Sequence, residues 1–103
     1  MAISFDEALD IFSKWEDERL DVRVWLRSGT ATIIVHGKIA RKEDGSVSVG
    51  SSSGLISLAV SAFDIIEYTD PREADPGLLV AKVADSAMVL IGSGSIVIAY
   101  ALL

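Results

Sequence analysis

The sequence predicts a mainly β protein: an N-terminal amphipathic helix followed by a small, strongly bent antiparallel barrel of five to seven strands. Three observations carry this expectation. A helical apolar period occupies the first segment only and gives way to strict alternation from Leu20 onward. The β-prone runs then follow one another without intervening helices, which disfavours a parallel βαβ arrangement. Turn signals rich in glycine, serine and aspartate punctuate those runs at hairpin spacing. The chain has 103 residues, 50% of them hydrophobic, so it is expected to form a single domain, residues 1–103, around one modest core.

Ser4 followed by Glu7 is a capping-box signature, and it opens a helix expected from about Phe5 to Glu18. Phe5, Ala8, Leu9, Phe12 and Trp15 fall on one face of that helix, with Ile11 at its margin. Asp6 and Glu7 favour the helix dipole at its start, whereas Glu16, Asp17 and Glu18 oppose it at its end. Packing against the remainder of the chain must therefore hold the helix in place.

Leu20, Val22, Val24 and Leu26 alternate with Asp21, Arg23, Trp25 and Arg27, the pattern of a strand with one buried face. Ser28-Gly29 ends this strand, and Ala31–Arg41 forms a second. Asp44-Gly45 is the strongest hairpin signal and leads into Val47 and Val49. Gly50–Gly54 is read as a loop, and Leu55–Tyr68 as a β-prone run too long for one strand, with a bend near Ala62-Phe63-Asp64. Prolines place a surface connection at Asp70–Gly77, while Leu78–Val83 fits either a strand or a helical turn.

From Ser86 to Leu103 no residue is charged. A run of this length invites comparison with a membrane span, which needs about 20 apolar residues. Gly92-Ser93-Gly94-Ser95 interrupts it, the arms on either side are rich in β-branched residues, and no basic cluster marks a membrane edge. The expected assignment is a hairpin of strands at about Ala87–Gly92 and Ser95–Leu102, its turn relying on Gly92 and Gly94 for positive φ.

Composition narrows function. The absence of cysteine removes disulfides, thiolate catalysis and thiolate metal sites. No secretory signal pattern opens the chain, so a cytoplasmic location is expected. The net charge of −6 opposes tight binding to a phosphate backbone. Charge is nevertheless uneven, because residues 20–44 hold Arg23, Arg27, Lys38, Arg41 and Lys42 against Asp21, Glu43 and Asp44.

No motif marks a catalytic site, so no catalytic residue, metal or cofactor is assigned and the protein is expected not to be an enzyme. Gly50-Ser51-Ser52-Ser53-Gly54 matches G-x-S-x-G, but it lies between two β-prone runs rather than between a strand and a helix. His36 is the only histidine and stands, by strand parity, on the face opposite Ile33, Val35 and Ile39, without clustered partners. Asp6 and Asp10 fit a solvated helix face as well as a shared cation. A pocket beneath the helix near Trp15 is a further alternative, for which no convergent polar groups are evident.

Arg23, Trp25 and Arg27 alternate on the outward face of the first strand, and Lys38, with Arg41 further along, lies on the second. Basic side chains interleaved with an aromatic ring can stack bases or bind anions. Arginine stems lying along a tryptophan on a solvated face produce the same pattern, and the acidic balance favours that reading.

The element order, together with Val24-x-Leu26-x-x-Gly29, Gly37-x-Ile39 and Asp44, resembles the first motif of Sm-like (LSm) proteins. Val89-Leu90-Ile91-Gly92 running into Ser95-Ile96-Val97-Ile98 resembles the second. The chain is also similar to short bacterial proteins that share an N-terminal amphipathic helix, a Leu-Arg-Ser-Gly-like turn and an Asp-Pro-Arg-Glu-Ala segment. The first resemblance implies an Sm-like/SH3-like barrel whose exposed strand edges pair between subunits, hence a closed homo-oligomer serving as a binding or assembly module. RNA binding in that family uses an asparagine and an arginine. This chain contains no asparagine and has Ile91 at the arginine position, so a nucleic-acid-binding regulator remains the alternative, resting on Arg23, Trp25, Arg27, Lys38 and Arg41.

Overall fold

The computed structural model describes residues 1–51, 54–69 and 84–102. Helix α1 spans Phe5–Asp17 and is followed by β1 (Asp21–Ser28), β2 (Ala31–Arg41), β3 (Ser46–Ser51) and β4 (Gly54–Ala59). A single 3-10 turn, Val60–Ala62, leads to β5 (Ile65–Thr69), and β6 (Ala84–Gly92) and β7 (Ser95–Leu102) complete the order. The expected connection at Asp70–Gly77 and the ambiguous Leu78–Val83 lie outside the described residues.

The capping box forms as its spacing requires. The Glu7 backbone N–H donates to Ser4 Oγ, and the Ser4 N–H donates to Glu7 Oε1, both at 3.1 Å. At the other end Arg19 takes a positive φ of 53°, letting its N–H reach the Glu16 carbonyl and the Leu20 N–H reach that of Trp15. This is the double closure of a Schellman ending, with arginine at the position that glycine usually holds.

The strands form one antiparallel sheet of seven, in the order β4-β3-β2-β1-β7-β6-β5. Alternation sets its faces. Val22 and Val24 pair with Gly37 and Val35 on β2 and with Ala101 and Ala99 on β7, and the inner face continues through Met88 and Leu90 on β6 and Val47 and Val49 on β3. Onto this face α1 buries Ala8, Leu9, Phe12 and Trp15, packing chiefly against β2 and touching β5 and the 3-10 turn. The rings of Phe12 and Trp15 meet edge to face at 5.4 Å.

β4 and β5 are consecutive in the chain yet occupy opposite ends of the sheet. The connection from Ala59 to Ile65 reaches at most about 21 Å, whereas the outer strands of a flat sheet of this size stand about 29 Å apart. The sheet must therefore curl. Close backbone approach permits this where β2 meets β3, since a Cβ at Gly37 would overlap the Gly50 carbonyl.

The curl stops short of the expected barrel. No β4–β5 pairing closes the sheet, because other chain already lies along β5. Ile3 N–H donates to the Ile66 carbonyl at 2.9 Å, Tyr68 N–H donates to that of Met1 at 2.8 Å, and Ala2 bridges Glu67. The described residues thus form an open, curled seven-stranded sheet with α1 on its concave face.

Three boundaries differ from the sequence reading. Gly50-Ser51 continues β3 instead of opening a loop, since the pairing of Gly50 with Lys38 and Leu55 holds it in the ladder. The break in Leu55–Tyr68 begins at Val60, whose side chain is fully buried and turns the chain inward. β6 starts at Ala84, before the expected Ala87, with a register shift between Ala84 and Ser86. The C-terminal hairpin forms as expected, with Gly94 at φ 77° in its turn; Gly92 does not need positive φ and stays in the strand. No helix among the described residues is long and apolar enough to cross a membrane.

Candidate binding surface

The convex face of the sheet carries the residues that alternate with the core. Across β2, β1, β7, β6 and β5 the pairing aligns Ile34, Trp25, Ile98, Val89 and Glu67 in one row. The adjacent row holds Thr32, Arg27, Ile96, Ile91 and Ile65, and the row on the other side places His36 beside Arg23 and Arg23 beside Tyr100. Trp25, Ile34 and Ile65 are 43%, 56% and 48% exposed, and the residues between them are half-buried. This face is apolar at its centre and carries arginine on β1.

The five basic and aromatic residues picked out by the sequence divide into three groups. Arg23, Trp25 and Arg27 share the convex face, as strand parity required. Lys38 lies at its end, where its ammonium pairs with Asp21 Oδ1 at 2.8 Å and donates to the Arg19 carbonyl at 2.9 Å. That pairing, through the hydrogen bond from Lys38 and then its charge, holds the Asp21 carboxyl below the usual carboxylate range. Arg41 departs from the group altogether. It shares parity with Ile39, reaches the helix side of the sheet and donates to Ser13 Oγ at 2.6 Å, while its backbone N–H donates to Glu16 Oε2 at 3.2 Å. The combined five-residue stripe is therefore not formed.

Beneath the helix the described side chains near Trp15 are buried. Trp15 is 2% exposed and its indole N–H donates to Ser86 Oγ at 3.0 Å across the core. Among the described residues no buried side-chain nitrogen or oxygen lacks a partner. A shallow cleft of about 480 Å³ lies at the start of the helix, lined by Phe5, Leu9 and the segment Arg41–Gly45. Its Asp44 carboxylate accepts from the Ser46 hydroxyl at 2.6 Å and the Ser46 N–H at 2.9 Å, so that group shapes the β2–β3 turn. Among the described residues no cluster of three or more histidine, aspartate or glutamate side chains is placed to hold a metal ion.

A second surface feature had no marker in the sequence. The two outer strands of the sheet end differently: among the described residues β5 is covered by Met1–Ile3, whereas β4 pairs only with β3. Which strand would be terminal depends on non-local pairing and has no local residue signature.

Comparison with protein-family models, with curated proteins and with solved structures gives no match.

Proposed function

We propose that this protein is a non-enzymatic assembly module of the Sm-like, small-β kind, acting in the cytoplasm as a homo-oligomer. One observation carries the reading: β4 is a terminal strand whose outer edge is paired by no segment among the described residues, in a stretch from Gly45 to Phe63 that contains no charged residue and no proline. Natural proteins block such edges with charge, proline or a covering segment, because unpaired backbone groups recruit another strand. Among the described residues β5 is covered by Met1–Ile3, and no segment pairs with the outer edge of β4. The motif resemblance around Val24–Gly29 and Val89–Ile98 points in the same direction. Sedimentation velocity over a wide concentration range is expected to give a discrete multiple of the 11.0 kDa chain mass; a monomer throughout overturns the proposal.

A second reading is favoured by the arrangement of Arg23, Trp25 and Arg27 on one convex face beside His36. It takes single-stranded nucleic acid as the ligand, with Trp25 stacking on a base and the arginines meeting phosphate. Binding of a short single-stranded RNA should weaken steeply as salt rises. Absence of binding at low salt removes this reading.

A further inference from the structure

We propose that two copies of the chain join edge to edge through β4, with Ser57 on the two-fold axis, so that two seven-stranded sheets become one continuous sheet. The inference rests on the assembly reading and specifies its interface.

Three features select a second β4 as the occupant. Among the described residues, no backbone group from Gly54 to Ala59 bonds outside the β3–β4 ladder. A head-to-tail arrangement would need the edge of β5, and Met1–Ile3 already lies along it. Among the described residues the edge of β4 is thus the one sheet edge left open, and a second copy offers the same edge to meet it. Such a contact is isologous and closes on itself as a dimer.

Side-chain parity then fixes the register. A two-fold axis perpendicular to the sheet keeps the concave face of one copy continuous with that of the other, and residues directly opposite each other in an antiparallel pair point to the same face. Leu55, Ser57 and Ala59 are exposed, whereas Leu58 is buried and Ile56 half-buried on the other face. Opposed residues must therefore have position numbers that sum to an even value. Centred on Ser57, the pairing sets Leu55 against Ala59 of the second copy and Ile56 against its Leu58. Centred on Ile56, it would set Leu55 against serine and Leu58 against glycine. Leu55 is 66% exposed, and the Ser57 register gives it an apolar neighbour.

The test exploits the axis. In Ser57→Lys two ammonium groups face each other, and in Ser57→Glu two carboxylates do; each variant should dimerise roughly tenfold more weakly than the parent. Mixing the two should restore the dimer as a heterodimer, as expected where the two position-57 side chains face each other across the axis. Because Ser57 is exposed, circular dichroism should show both variants folded. As an independent reading, Ser57→Cys introduces the only thiol and should give a covalent dimer on oxidation. A dimer whose mass is unaffected by Ser57→Lys, and that Ser57→Cys does not cross-link, overturns the β4 edge while leaving the assembly reading intact. A parent chain that is monomeric at every concentration overturns both.

Discussion

Trp15 and Ser86 are separated by 71 positions in sequence and meet through one buried hydrogen bond. Among the described residues the indole N–H has no other partner, and Ser86 is 3% exposed. Replacing Ser86 by alanine removes the acceptor and leaves a desolvated donor, at a cost of about 1–3 kcal/mol. Trp15→Phe removes the donor and part of the ring volume, so its cost includes a cavity contribution. Urea denaturation of both single variants and the double variant should show that the two losses are less than additive, because each removes the same bond. Additive losses would show that this hydrogen bond contributes nothing. The sequence shows Trp15 on the apolar helix stripe, and nothing in the uncharged C-terminal run marks Ser86 as its partner. Burial was legible at this site; the polar contact was not, since it depends on how α1 is set against β6.

Among the elements, the β2–β3 hairpin shows how turn chemistry couples to pH. Asp44 accepts from both the hydroxyl and the backbone N–H of Ser46, and the hydroxyl bond is the main reason its carboxyl sits below the usual range. A carboxyl depressed by folding stabilises the native state above its unfolded pKa, about 3.9 for aspartate. That contribution disappears as pH falls through the lower folded value. Asp21 acts in the same direction through Lys38. Asp44→Ala is therefore expected to lower the urea midpoint at neutral pH and to flatten its decline as pH falls below about 4. An unchanged acid profile would remove Asp44 from the account. Asp44-Gly45 was legible as a hairpin because its signal is local, as were the capping box and the Gly92–Ser95 turn. The extra length of β6 was not, because it depends on pairing with Leu102 rather than on the residues of β6 alone.

At the scale of the whole molecule, stability and assembly both follow from how the sheet ends. Met1–Ile3 covers β5, and Ile3 supplies the N–H that bonds the Ile66 carbonyl. Ile3→Pro deletes this donor and exposes a second edge. Two open edges permit head-to-tail growth, so light scattering should show species larger than those of the parent chain, in proportion to concentration. An unchanged mass distribution would mean that the N-terminal segment does not guard the edge. The convex face adds a separate feature, with Trp25 and Ile34 adjacent across β1 and β2 and arginine on either side of the tryptophan along β1.

By itself, the sequence determined a helix that needs packing, a series of antiparallel strands, their inward and outward faces, and the turns of the two clearest hairpins. These follow from period, capping and turn residues, which act over a few positions. Tertiary structure decided that the sheet stays open, that β4 and β5 are its outer strands, that Arg41 leaves the basic group for the helix side, and that Trp15 bonds Ser86. Each of these depends on which distant segments compete for the same backbone edge or the same buried volume. Met1–Ile3 takes the edge that a closed barrel would require, and local patterning carries no record of that competition.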